Sequence, residues 1–303
     1  MANHAEPVTM AGGFVEDAEA QARFLAHKRY LAWRRRLLPV GAVILFLLLW
    51  WQAVEIFDIK PFIAPSPVAV AQVLYMRFDM LMTNLLPTAI ESVSGFMLGN
   101  LAAISLAAAF VYRKTMEEAL FPIAVMVNTI PVVAKAPILV LLLGNGMEPK
   151  IAIAAIICFF PTLVNMTRGL RDVRSEQLEL MRVLSATPRE VFLRIRVPNA
   201  LPYLFSALKI AASTAVIGAI VGEWIGSTKG IGALIIQSTY NFDSPLLYAT
   251  IVVGSTFSAL FFGVISLIER RVLRWNVPQS SARGDSPGTI ESLGSWRRSG
   301  RCE

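Results

Sequence analysis

The sequence predicts an all-α membrane protein with six transmembrane helices, and three observations carry that reading. Of the 303 residues, 55% are hydrophobic and 16% charged, against about 25% charged in a soluble domain, and mean hydropathy is +0.58. The apolar residues gather in long runs, near the roughly twenty that a helix needs to cross the hydrocarbon core. The basic residues collect on alternate connections between those runs.

Residues 1–36 are polar and end in Lys28, Arg29, Arg34, Arg35 and Arg36. A basic cluster beside a span marks the cytoplasmic side, so this segment reads as a cytoplasmic anchor with a surface helix over 14–33. The polar start predicts no cleavable signal peptide. The first span covers 37–57, with Glu55 as its single charge near the outer end. Residues 61–79, with Pro61, Pro65 and Pro67, read as an external connector and short surface helix. The second span covers 85–112, where Gly95 and Gly99 make a small-xxx-small face that permits close helix approach.

The third span covers 120–143 and is interrupted by Pro122, Pro131 and Pro137. Such breaks are tolerated where neighbours or a water-lined cavity satisfy the freed backbone groups. Gly144-Asn145-Gly146 then turns the chain, and the fourth span follows over 151–166. The fifth covers 201–225 and carries a second small-residue face, Gly218 and Gly222. Residues 227–244 read as an external loop, and the sixth span covers 246–268. Residues 37–275 thus form the transmembrane domain. Residues 276–303, rich in Ser, Gly, Pro and Arg, read as a disordered cytoplasmic tail.

Six spans put both termini on one side. The segments assigned to the inside hold most of the 28 Lys and Arg, including Arg113, Lys114, Arg168, Arg171, Arg174, Arg270 and Arg271. Those assigned to the outside hold Lys60, Arg77, Lys150 and Lys229. The net charge of +7 therefore reads as membrane topology, with no nucleic-acid partner implied. Cys158 and Cys302 offer neither a disulfide framework nor metal spacing, so no metal site is expected.

One stretch stands apart, ELMRVLSATPREVFLRIRVP over 179–198. It is a charged, amphipathic island between apolar runs, the heart of a cytoplasmic loop over 171–200. Thr187 can cap a helix, Pro188 suits the first helical position, and Glu190 falls three residues on, where it closes a capping box. The expected order is helix, turn, short second helix, and a stop at Pro198.

This island resembles the cytoplasmic signature of permease subunits of bacterial ABC importers: Glu-Ala-Ala, three residues, Gly, nine residues, Ile, one residue, Leu-Pro. Glu179, Ile195, Val197 and Pro198 fall at the Glu, Ile, Leu and Pro. Leu180 and Met181 replace the alanines, and Ser185 replaces the Gly. NALPYLFSALK over 199–209, VGEWI over 221–225 and ERRVLRW over 269–275 resemble the branch handling nitrate, sulfonates, taurine, bicarbonate and thiamine-pyrimidine precursors. IPVVAKAPILVLLLG over 130–144 resembles that branch's third span.

The resemblance implies a type I importer permease fold in the bacterial inner membrane, and a division of labour. The permease is not an enzyme and binds no cofactor. A second permease copy completes the pathway, and a periplasmic solute-binding protein delivers the solute. Two ABC ATPase subunits, which carry ATP and Mg, dock on the island. Carried over residue by residue, Ser185, Ala186, Thr187, Pro188 and Arg189 make that contact, with Glu179 supporting the turn.

Ionisable residues inside spans cost about 2.5–3.5 kcal/mol at the centre on insertion scales and so suggest function. Lys135, Glu223 and Glu91 are the pathway or gate candidates, whereas Lys209 reads as structural. Glu91 is expected to pair with Lys135 or Lys209. Glu91, Gly222 and Phe262 stand where sulfonate and nitrate members often have Arg, Ala and Asp. The resemblance therefore leans to permeases for thiamine-pyrimidine precursors or riboflavin.

Other classes fit poorly. An intramembrane serine or zinc protease needs a histidine at its spans, but His4 and His27 both precede the first. An aspartyl type needs two intramembrane Asp, and every Asp lies outside the spans. The Lys and glycines of 226–230 are in the wrong order for a phosphate-binding loop. An ion-coupled secondary transporter or channel is the alternative transport reading, but no second copy of the broken span is present to form inverted repeats.

Overall fold

The computed structural model describes the backbone of residues 11–273 and, within the first helix, the side chains of Tyr30, Trp33, Arg34 and Leu37 onward. The tail expected over 276–303 and the first ten residues lie outside the described residues. Everything described is helix or connection. In order come α1 (Ala11–Ile56), α2 (Pro67–Met76), α3 (Phe78–Tyr112), α4 (Lys114–Thr129), α5 (Val132–Leu143), α6 (Glu148–Arg171), α7 (Ser175–Val183), α8 (Pro188–Val191), α9 (Val197–Glu223), α10 (Ile231–Tyr240) and α11 (Ser244–Val272). A π-helical turn, Phe192–Arg196, joins α8 to α9. Among the described residues, five helices are long and apolar enough to cross a membrane, or six if α4 and α5 count as one span.

Two compact units are described separately. The first comprises the chain through Met82 together with Leu234–Val252. Its surface helix and first span are not separate: α1 runs unbroken from Ala11 to Ile56. None of the Leu37–Ile56 window is buried, as suits a helix whose apolar residues face lipid all round. The Trp50 and Tyr248 rings lie 5.6 Å apart. Ser66 caps α2, accepting from Ala69 N–H at 3.2 Å, with Pro67 opening the helix. Ser244 Oγ donates to the Phe62 carbonyl, and Arg77 pairs with Asp243 at 2.7 Å.

The second unit, Thr83–Ala233 with the chain from Val253, is built on α6, which has α3 on one side and α9 on the other. Both small-residue faces meet it. A Cβ on Gly95 would lie 2.5 Å from Ala154 Cβ, and one on Gly218 would lie 2.9 Å from Ala154 Cα. A side chain at either position would force the helices apart. Since lipid tails are as apolar as leucine, such close packing holds membrane helices together. An interhelical hydrogen bond, such as Thr162 Oγ1 to Asn100 Oδ1 at 2.5 Å, averages only about 0.6 kcal/mol there. Two apolar clusters fill this unit, one around Phe96, Cys158, Phe205 and Ala212, the other around Phe110, Leu163, Leu170 and Ala200.

Three expectations need correction. The third span is interrupted as expected, but at one proline rather than three: α4 and α5 meet at 102°. Only Pro131 breaks the chain, because Ile130 before it is extended (φ −66°, ψ 127°), as a residue preceding proline prefers. Pro122 and Pro137 sit inside helices. At about 1.5 Å per residue neither arm alone reaches across a core of about 30 Å. Next, Pro198 does not stop the chain. It lies in the first turn of α9, where its missing N–H costs nothing, and the π turn carries the helix past it with Val197 N–H bonded to the Phe192 carbonyl. Finally, 227–244 is not all loop, since it contains α10.

Candidate functional site: a docking loop and a buried polar clasp

The island folds as two helices set at a fixed turn. α7 ends in a Schellman closure: Ser185 N–H donates to the Arg182 carbonyl at 2.9 Å and Ala186 N–H to the Met181 carbonyl at 3.0 Å. That closure needs a left-handed residue, and Ser185 supplies it at φ 53°. This is the position of the signature's Gly, so the backbone keeps the glycine conformation without the glycine. α8 then opens on the expected capping box. Thr187 Oγ1 accepts from Glu190 N–H at 3.3 Å, and Thr187 N–H donates to the Glu190 carboxylate at 2.9 Å.

The loop is bolted to the membrane helices at its base. Arg196 donates to the Leu170 carbonyl at 2.9 Å, and Asn199 to the Gly169 and Asp172 carbonyls at 3.2 and 2.5 Å. The Tyr203 hydroxyl donates to the Asp172 carboxylate, and Arg171 grips Glu117 of α4 through both nitrogens. Tyr112, ending α3, lies 5.0 Å ring to ring from Phe192. Above this base the loop is open. Glu179, Ser185, Thr187, Pro188 and Arg189 are exposed, and Ala186 half-buried. Pro198 lies lower, in the α9 turn, half-buried. The sequence reading missed three apolar side chains on the same surface: Leu180, Val183 (81% exposed) and Leu184. Their spacing of three and four residues, an apolar stripe on a short helix flanked by charge, was the available signal.

At the other end of α6, four elements converge on a buried polar cluster. Glu91 of α3, 1% exposed, faces Lys150 of α6 at 3.6 Å. Glu223, ending α9, accepts from the Thr88 hydroxyl at 2.6 Å and from Gly232 N–H at 2.6 Å. Thr88 Oγ1 also accepts from Ile231 N–H at 2.8 Å, and Asn84 accepts from Gly230 N–H at 3.0 Å. The first donors of α10 are thus met by side chains from α3 and α9. Helix starts attract carboxylates, and a buried charge persists only when paired and hydrogen-bonded.

The cation opposite Glu91 is therefore Lys150, not Lys135 or Lys209. Lys150 lies in the first turn of α6, level with the Glu91 turn of α3. Lys209 pairs with Glu269 at 2.8 Å, which fits its structural reading. Lys135 is buried in the first turn of α5, just past the bend, and has no acidic partner among the described residues. Lys150, Thr88 and Asn84 were missed because their partners are remote in sequence. No group of His, Cys, Asp and Glu suited to a metal occurs among the described residues.

A bundle of apolar helices with a broken span, a rigid loop at one end and a buried ionic clasp at the other defines a membrane transport permease. The chain belongs to the family of binding-protein-dependent transport system inner membrane components, whose model matches residues 95–274. It is an ABC importer permease and a multi-pass inner-membrane protein.

Relatives agree over nearly their whole length. A probable ABC transporter permease protein of Haemophilus influenzae is 34% identical over 80% of this chain and 99% of its own. The formylaminopyrimidine transport permease protein ThiX of Halalkalibacterium halodurans is 33% identical, over 78% and 94%. The riboflavin transport system permease protein RibX of Chloroflexus aurantiacus is 31% identical, over 78% and 89%. Among solved structures, an inward-facing methionine ABC transporter, MetNI, has the same fold, with a TM-score of 0.54 at 20% identity over 66% of this chain and 98% of that one.

Proposed function

We propose that two copies of this chain form the pathway of an ATP-driven importer, with both termini and residues 171–200 in the cytoplasm. ATPase subunits carrying ATP and Mg dock on Glu179, Ser185–Arg189 and the Leu180-Val183-Leu184 stripe, and a periplasmic binding protein delivers the solute. The permease itself holds no cofactor and performs no chemistry. The observation that carries this reading is the mounting of the loop: capped at α8, closed at Ser185, and bolted to α4, α6 and α9. A rigid lever transmits displacement, whereas a slack loop absorbs it, and a transporter needs a membrane part with two arrangements for that displacement to select.

Lys135 we assign to the pathway, as a buried donor for a carbonyl or ring nitrogen of the solute. Glu91 and Glu223 act at the outer gate through their hold on α10. The solute we place among small nitrogen heterocycles of the formylaminopyrimidine or riboflavin kind, ahead of sulfonates, nitrate or taurine. The relatives' names and the side chains at 91, 222 and 262 support that order.

The decisive experiment is transport by the reconstituted complex. Thr187→Asp keeps a capping oxygen but adds a charge at the docking surface, and Glu179→Lys reverses one. Each should lower solute uptake per ATP hydrolysed by about tenfold while membrane insertion is unchanged. Wild-type uptake in both variants would refute the docking assignment. A binding protein that takes up taurine or a sulfonate but neither heterocycle, by calorimetry, would refute the solute assignment alone.

A further inference from the structure

The buried clasp carries one carboxylate too many. Glu91 and Glu223 are each 1% exposed, and the cation that faces them among the described residues, Lys150, is buried too. These three are the charged side chains that α3, α9 and α6 turn toward one another, and the start of α10 adds backbone N–H groups alone. With all three ionised, the site would keep a net negative charge away from water, where an uncompensated ion is costly.

The donors fall short as well. Both oxygens of Glu223 are taken: Oε1 accepts from the Thr88 hydroxyl and Oε2 from Gly232 N–H, each at 2.6 Å. Glycine backbone packs directly on that carboxylate. A Cβ on Gly230 would lie 2.3 Å from Glu223 Cδ, and one on Gly232 would lie 2.9 Å from Oε2. Glu91 Oε1 faces Lys150 Nζ at 3.6 Å, longer than an ordinary hydrogen bond. Glu91 Oε2 is buried and has no donor. Yet the two carboxyl groups stand within hydrogen-bonding reach of each other. Two acceptors that close, one of them lacking a donor, mark the place of a proton, because like charges at such range do not both ionise. The proton belongs on Glu91, since the two donors aimed at Glu223 favour its charged form.

We infer that the clasp binds a proton: Glu91 is a carboxylic acid that donates through Oε2 to the ionised Glu223. Lys150 and Glu223 then balance, and the orphaned oxygen has its partner. The proton joins Thr88 and Gly232 in holding Glu223, and so it helps to hold the first turn of α10. Its loss would set two carboxylates against each other beside one ammonium and press Glu223 away from Gly232 N–H. An opened clasp puts Glu91 in water, where a carboxyl group is ionised at neutral pH. The closed form therefore holds one proton more than the open form, and closure weakens as pH rises until that proton is gone.

The test uses the full chain in lipid vesicles. Glu91→Gln keeps the shape, the neutral charge and a donor toward Glu223, but has no proton to lose. At neutral pH the wild type should show the infrared carbonyl stretch of a buried carboxylic acid, and Glu91→Gln should lack it. Protection from hydrogen exchange at residues 230–232, referred to the intrinsic rate at each pH, should fall about tenfold per pH unit in the wild type. It should level off where the infrared band disappears, and it should stay constant in Glu91→Gln. The wild-type titration alone decides the matter if the variant fails to insert. An infrared spectrum without that band would mean an ionised Glu91 and would overturn the inference. A band with protection at 230–232 that varies with pH equally in both proteins would overturn the hold on α10.

Discussion

Helices α8 and α10 begin in opposite ways. The first donors of α8 are satisfied from within, by Thr187 and Glu190, three residues apart and at the protein surface. Those of α10 are satisfied from far away, by Asn84, Thr88 and Glu223. A local cap forms whenever its own few residues do. A borrowed cap exists only while α3 and α9 stand together, so the start of α10 depends on how those helices are packed. The capped loop is thereby self-sufficient, and the buried clasp is conditional.

The difference can be attacked from either side. Glu223→Leu should do the most damage, because it strips the acceptor from Gly232 N–H and from Thr88 and leaves Lys150 with one carboxylate fewer. The expected cost is about 3 kcal/mol, seen as a lower unfolding midpoint in detergent and faster hydrogen exchange at residues 230–232, with Glu223→Gln milder. Thr187→Ala removes a self-contained cap. It should cost about 1 kcal/mol, with faster exchange at Glu190 and none of the change at 230–232. Were both variants to loosen both regions, the two caps would not be independent. Ser185→Gly should have the smallest effect, a gain of about 0.5 kcal/mol. Relief of the left-handed strain exceeds the added freedom of the unfolded chain only slightly, and it would show as slower exchange over 185–190.

What the sequence made legible follows the same line. The capping box was readable because its parts lie within four residues, and the long spans because twenty apolar residues in a row leave little choice. The glycine faces were readable as faces, yet nothing in the sequence said that Gly95 and Gly218 press on the same Ala154. The partner of Glu91 was misjudged because a choice among Lys135, Lys150 and Lys209 is made by helix alignment, which no short motif encodes. Three prolines marked the third span as irregular, but only the conformation of Ile130 shows which of them bends it. α10 was hidden because its apolar stretch, Ile231 to Ile236, is too short to suggest a span. The stop at Pro198 failed for a related reason: proline ends a helix from its interior but is welcome in a first turn, and the π turn lets a new first turn begin without a break.

That widened turn has a mechanical consequence. Because it joins α8 to α9, Pro188–Glu223 is a single rod of 36 residues, about 54 Å long at 1.5 Å per residue. One tip is the capped, exposed start of α8, and the other is the carboxylate that holds Gly232. A shove of an ångström or two on Pro188 would therefore arrive, undivided by any hinge loop, at the latch on α10. The π-helical turn along the way, at Phe192–Arg196, is where such a rod would flex, and a stiffer or looser coil there would change how much of such a shove reaches Gly232 without altering either tip.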